Sequence, residues 1–163
     1  MKKVLFPGSF DPFTRGHADI VGRGLALFDE VIIAVGYNVQ KPGWINVEER
    51  VRALRTFYAG EPRIRVEQYS GLTVDFAQTV GATALLRGVR NTQDFDYEQL
   101  IAQVNRQLTG LDTVLLFADP ALGMLSSSMV RELAHFGRDI SEFLPEGLDY
   151  NMRNIQPQKK HTE

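Results

Sequence analysis

Residues 4–20 read VLFPGSFDPFTRGHADI. Three apolar residues, Val4 to Phe6, run directly into a turn marked by Pro7 and Gly8. A polar loop follows, and then Gly16 and His17 open a stretch in which Ile20, Val21, Leu25 and Phe28 share one helical face. A short unbroken apolar run suits a strand covered on both sides. Apolar residues at the later spacing suit a helix that buries one stripe. One strand passes into one helix through a loop rich in polar groups and glycine.

The same unit repeats outward from there. Val31 to Val35, Ala84 to Leu86 and Val114 to Phe117 are continuous apolar runs, expected to be buried on both faces. Arg63 to Tyr69 alternates, with Ile64 and Val66 on one side, and is placed nearer an edge. Helical patterns separate these runs. Asn46 followed by Glu49 is a capping-box-like start, and Val47, Val51, Leu54 and Tyr58 repeat behind it. Val74, Ala77 and Val80 mark a third helix, Tyr97, Ile101, Val104 and Leu108 a fourth, and Met129, Leu133 and Phe136 a fifth. Regular alternation predicts an α/β fold: a five-stranded parallel sheet joined by right-handed crossovers, with helices on both faces. Such sheets bind ligands beyond the carboxyl ends of their strands, where the strand order switches direction.

Composition agrees with this. The chain has 163 residues, 44% hydrophobic and 23% charged, which is ordinary globular usage. It contains no cysteine, so thiolate metal sites and disulfides are excluded. The apolar run after Met1-Lys2-Lys3 stops at Pro7, too short for a secretory signal, and no stretch is long enough to span a membrane. These features predict a cytoplasmic protein with no membrane partner. A formal net charge of −2 argues against a nucleic-acid partner. Residues 1–150 are expected to form a single domain and residues 151–163 a polar, mobile tail.

The residues that follow the strands carry the chemistry. Gly8 permits a sharp turn, and the free amides near Gly16 and His17 favour an anion, aided by the helix dipole. His17 can donate to phosphate oxygens, or it can simply be a surface residue of the turn. Lys41 lies in YNVQKPGW after the second strand, where it reads either as a cation for a transferred phosphate or as a surface lysine. Arg87 and Arg90 flank Gly88 after the fourth strand and can clamp a polyphosphate. Taken alone, they read equally as solvated charges. Ser126, Ser127 and Ser128 precede the last helix; one of them suffices as its cap, and the others suit a phosphate. Three of these places, after the first, fourth and fifth strands of one sheet, together point to a phosphorylated ligand, a nucleotide. Neither a GxxxxGK[ST] loop nor a GxGxxG turn is present.

PGSFDPFTRGH resembles the first signature of the nucleotidylyltransferase superfamily in its TxGH form, through Thr14, Gly16 and His17. SSSMVRE resembles the second signature, with Leu125 in an isoleucine position. RGVRNTQDFDYEQ, the following NRQL and the FLPEG near residue 145 are similar to stretches of the bacterial phosphopantetheine adenylyltransferase family. The resemblance covers residues 2 to about 150.

It implies a Rossmann-like dinucleotide-binding fold. It also implies adenylyl transfer from ATP to 4′-phosphopantetheine in coenzyme A biosynthesis, with Mg2+ accompanying ATP and no metal held by the protein. A homohexamer is implied, and coenzyme A is a candidate feedback ligand. Carried over by position, His17, Lys41 and Arg90 are the catalytic candidates. Ser9, Phe10, His17, Gly88, Val89, Arg90 and Glu98 would meet ATP, as would the run from Leu122 through Gly123, Met124, Leu125, Ser126 and Ser127 to Ser128. Ser9, Lys41, Thr73, Arg87, Tyr97 and Asn105 would meet the acceptor. Many family members carry an aromatic residue before the serines; here the segment is LGML, so backbone contacts to adenine are expected there. Rival readings are a transferase for another phosphorylated acceptor, such as nicotinamide mononucleotide, and a non-catalytic nucleotide or coenzyme A sensor.

Overall fold

Each apolar strand needs cover on both sides, and alternate residues divide that work. In a computed structural model, which describes residues 1–151, Val4 and Phe6 of β1 (Lys3–Gly8) pack into one core while Leu5 packs into another. Val31, Ile33 and Val35 of β2 (Glu30–Gly36) join the first core, and Ile32 and Ala34 join the second. Helices α1 (Arg15–Leu27) and α2 (Val47–Phe57) close the first face with Ile20, Val21, Val51 and Leu54. Helix α3 (Thr73–Thr79) closes the second with Val74 and Ala77. The remaining elements are β3 (Ile64–Tyr69), β4 (Ala84–Val89), α4 (Thr92–Thr109), β5 (Asp112–Phe117) and α5 (Ser127–His135).

The sheet has five parallel strands in the order β3-β2-β1-β4-β5, the architecture expected from the alternation. Strand order reverses between β1 and β4. There the pairing is short: Val4 faces Ala84 and Leu5 faces Leu85, and the ladder then stops. By contrast β1 pairs with β2 from Lys3 to Gly8, and β4 pairs with β5 from Ala84 to Val89. The carboxyl ends of β1 and β4 therefore separate, and a crevice opens at the switch point.

Several sequence expectations are corrected. Val114 to Phe117 was expected to be buried on both faces, yet β5 is an edge strand and Phe117 is exposed. The Tyr97, Val104 and Leu108 face of α4 is exposed as well, with Phe95 and Leu100 beside it, while Glu98 is the buried residue of that helix. Periodicity reports that a helix is one-sided; it does not report what covers that side. In α5 the buried residue is Val130 rather than the Met129, Leu133, Phe136 stripe. Asn46 caps α2 by accepting from Glu49 N–H, but the Glu49 carboxylate binds Arg52 instead of returning to the cap. The polar tail expected over 151–163 lies, beyond Asn151, outside the described residues.

Candidate active site

The TxGH motif is a helix start in which the histidine does the work usually given to glutamate. Thr14 is the N-cap of α1; its Oγ1 accepts from His17 N–H at 3.4 Å. In return Thr14 N–H donates to His17 Nδ1 at 2.9 Å. This is the reciprocal geometry of a capping box, and it needs partners three positions apart in the chain. An amide N–H can only donate, so Nδ1 must accept, and the ring proton sits on Nε2. Phe10 and Phe13 pack against the ring with centroids 5.0 and 5.3 Å away. Burial, and then the charges of Arg87 and Arg90, depress the His17 pKa to about 3. His17 is thus a neutral donor.

The loop before α1 owes its shape to side chains from elsewhere. Ser9 and Gly36 carbonyls accept from Arg50 Nη1, the Asp11 carbonyl from Arg131 at 2.6 Å, and the Pro12 carbonyl from Ser127 Oγ at 2.7 Å. Phe13 N–H donates to the Tyr150 hydroxyl at 3.0 Å. Phe10 sits at φ 48°, an unusual place for a bulky residue, with its ring over Gly8. A Cβ at position 8 would lie 2.9 Å from that ring, so the contact requires glycine.

Two cavities meet at the crevice. The smaller, ≈ 380 Å³, is walled by His17, Gly88, Arg90, Leu122, Leu125 and Ser126, with Phe10 and Ser127 also lining it. The larger, ≈ 570 Å³, is walled by Lys41, Arg50, Thr73 and Asn105 together with apolar Leu85 and Val104. Ser9, Arg87, Tyr97 and Glu98 line both. The larger cavity thus offers both a lysine and apolar side chains, a mix that suits an anionic group carrying a longer arm.

Both arginines are already partnered. Arg87 makes bonds of 2.6 to 3.0 Å to the Glu98 carboxylate and donates to Pro7 O at 2.6 Å, which bridges the split between β4 and β1. Arg90 meets Asp94 at 2.9 Å and donates to Leu125 O at 3.1 Å. That hydrogen bond from Arg90 is the main cause of the depressed Asp94 pKa. Glu98, read as an ATP contact, is therefore the partner of Arg87.

Other candidates are placed less directly. Val89 is buried, and its carbonyl accepts from Ala118 N–H. Gly123, Met124 and Ser128 do not line either cavity, and Met124 is 86% exposed. The Thr73 hydroxyl is bonded to Tyr69 at 2.9 Å, which leaves its backbone for a ligand. Ser126 caps α5, so the serine run divides its work between helix capping, loop bracing and the cavity wall.

Sequence reading missed Asp11, Arg50, Asp94 and Tyr150. Arg50 left a trace, since it falls at helical spacing among Val47, Val51 and Leu54 on the face that is buried. Asp94 left another, as it lies four residues after Arg90.

A parallel sheet with anion-binding groups gathered at its switch point defines a nucleotide-binding α/β protein. The chain matches the cytidylyltransferase-like family over residues 5–133. It is 59% identical over 149 residues to a phosphopantetheine adenylyltransferase of Porphyromonas gingivalis, covering 90% of this chain and 97% of that one. A Bacteroides fragilis protein of the same name is 48% identical over 149 residues, covering 91% and 99%. The chain belongs to the phosphopantetheine adenylyltransferase family of nucleotidyltransferases. A solved bifunctional NMN adenylyltransferase/ADP-ribose pyrophosphatase from Francisella tularensis, complexed with AMP and a manganese ion, shares the fold. Its TM-score is 0.66 at 13% identity, over 88% of this chain and 44% of that one, so this chain spans less than half of that protein.

Proposed function

We propose that this chain transfers the adenylyl group of ATP to the phosphate of 4′-phosphopantetheine, giving dephospho-coenzyme A and pyrophosphate, in the cytoplasm. The observation that carries the reading is the pair of cavities joined at Ser9 and Arg87. The smaller offers His17, Arg90 and the serine loop to a triphosphate. The larger offers Lys41 to a phosphate and an apolar wall to the arm behind it.

A phosphate oxygen of the acceptor attacks the α-phosphorus of ATP and forms the new P–O bond. The bond from that phosphorus to the bridging oxygen breaks, and pyrophosphate leaves with the electron pair. A phosphate monoester is largely ionised at neutral pH, its second pKa being about 6. The attack therefore needs no protein base. What remains is to hold two anions together and to stabilise the charge between them. Neutral His17 donates from Nε2 to an oxygen of the α-phosphate. Lys41 offsets the acceptor's charge, and Arg90 holds the leaving group.

Magnesium is proposed to arrive on the ATP phosphates. Among the described residues no three His, Cys, Asp or Glu side chains gather as a metal site. Asp94 and Glu98, the carboxylates on the cavity walls beside Arg90 and Arg87, are ion-paired. Such a donor set suits a metal that takes phosphate oxygens and water. The exposed apolar residues of α4 support self-association, with the number six resting on the family resemblance.

The test is pyrophosphate release with ATP and magnesium, comparing 4′-phosphopantetheine, nicotinamide mononucleotide and no acceptor. Release with phosphopantetheine, together with dephospho-coenzyme A, is expected. Release only with the mononucleotide would replace the acceptor, and no release with any would support a coenzyme A sensor.

A further inference from the structure

Two buried charged residues stand beside the larger cavity without a role in the chemistry above. Asp11 is 6% exposed and Arg50 is 3% exposed. Asp11 Oδ2 accepts from Trp44 N–H at 2.7 Å, and its Oδ1 accepts from Ile45 N–H at 2.8 Å. Arg50 Nε donates to the Ile45 carbonyl at 2.9 Å, while its Nη1 donates to the carbonyls of Ser9 and Gly36. Fully buried Ile45 is therefore gripped from both sides, its N–H by Asp11 and its C=O by Arg50.

The segment held in this way is the one that carries Lys41. Arg50 fastens it at Gly36 and Ile45, and Asp11 fastens it at Trp44 and Ile45. The other end of each tie is the loop after β1, where Ser9 lies. The fit is close: a Cβ at Gly43 would stand 2.6 Å from Asp11 Oδ2. Asp11 and Arg50 both line the larger cavity, and neither lines the smaller. Burying an ionised group is costly unless its hydrogen bonds are made. Here those bonds go to the backbone of the two loops that face each other across one cavity.

We infer that Asp11 and Arg50 are positioning residues that fix Lys41 against Ser9, and so set how tightly the phosphorylated acceptor is held. The inference rests on the adenylyl-transfer reading. It differs from a general bracing role because it assigns the effect to one substrate. Loosening this grip widens the acceptor-phosphate end of the cleft and leaves His17, Arg90 and the serine loop in place.

The experiment uses the full chain with Asp11→Asn and Arg50→Lys, measuring kcat and the KM for ATP and for 4′-phosphopantetheine. Asp11→Asn is nearly isosteric and keeps one acceptor, so it carries the test if Arg50→Lys fails to fold. The expected result is an acceptor KM raised about tenfold, the scale of one lost charged hydrogen bond, with the ATP KM within about twofold of the parent. A parallel rise in both KM values, or no change in either, would overturn the inference. Trp44 is the only tryptophan in the chain and is itself bonded to Asp11, so its fluorescence anisotropy reports the grip without turnover. Anisotropy should fall in Asp11→Asn; an unchanged value would sink the positioning role. If the parent chain does not use phosphopantetheine at all, the functional reading fails, while the anisotropy still decides whether Asp11 holds the loop.

Discussion

His17 is fixed in one tautomer by the residue that starts its own helix. The bond from Thr14 N–H occupies Nδ1, and Nε2 keeps the ring proton, the one the proposed donation to phosphate uses. Capping and that proposed donation use different atoms of one ring, and substitutions test each. His17→Ala loses both. His17→Gln restores a residue type common at this capping position and still carries an amide N–H donor, on a flexible side chain in place of the ring. Turnover should fall on the order of 100-fold or more in His17→Ala and by less in His17→Gln, with ATP binding much less affected in both. Glutamine should recover most of the roughly 1 kcal/mol of cap stability that alanine loses. Steady-state kinetics beside thermal unfolding checks this, and near-full turnover in His17→Ala would remove His17 from the chemistry.

The depressed pKa of His17 has a definite sign. Its folded value of about 3 lies below the unfolded 6.5. Between those values the unfolded chain binds a proton that the folded chain refuses, so this residue costs stability as pH falls through that window. Above 6.5 it contributes nothing to the pH dependence. Two-bond 1H–15N spectra should show His17 as the Nε2–H tautomer with no titration from pH 8 to pH 5. A midpoint near 6.5 would make it a cation in acid and contradict the neutral-donor account.

At the scale of elements, the loop after β1 depends on the C-terminal segment that ends the described chain. Tyr150 is largely buried, and its hydroxyl accepts the Phe13 N–H. Tyr150→Phe keeps the ring in the core and leaves that amide without a partner. A loss of about 1–3 kcal/mol is expected from denaturant unfolding, since a buried donor left unpaired bears its full desolvation penalty. A loss below a few tenths would mean that water replaces the hydroxyl.

The alternation of apolar runs and helical patterns made all five strands and all five α-helices legible, because burial on two faces imposes a recognisable composition. The motif residues His17, Arg87 and Arg90 were legible as residues of the crevice, since all three line its cavities. What the chain does not announce is pairing across distance. Glu98 entered only through the family resemblance, and nothing near it in sequence marks Arg87 as its partner. Nothing around Asp11 names Trp44 and Ile45. Edge position was legible for β3, whose alternation placed it there, and hidden for β5, which is as apolar as β2 and yet has a neighbour on one side alone. That missing neighbour is a property of strand order, which the unbroken apolar run of β5 does not encode.

At the scale of the whole molecule, Phe95, Tyr97, Leu100, Val104, Leu108 and Phe117 stand exposed on α4 and at the end of β5. Tyr97, Val104 and Leu108 belong to the rim of the larger cavity, and large apolar side chains left exposed beside it suit a contact with another molecule. Leu100→Glu, at a residue that lines neither cavity, should lower the mass found by light scattering if a second copy covers this face. An unchanged mass would place self-association elsewhere. No helix among the described residues is long and apolar enough to cross a membrane.

The short pairing between β1 and β4 divides the sheet into a leaf of three strands and a leaf of two, stitched by Val4–Ala84 and Leu5–Leu85 and by the Arg87 bond to Pro7. This is the shortest ladder in the sheet, and the proposed reaction would be run across it. His17 and Lys41 ride on one leaf, Arg90 on the other. A small rotation of one leaf against the other changes their separation before it changes anything within either leaf. Two substrates seated together would act as a strut across that line, so the protein should be stiffest at the moment when stiffness serves the transfer.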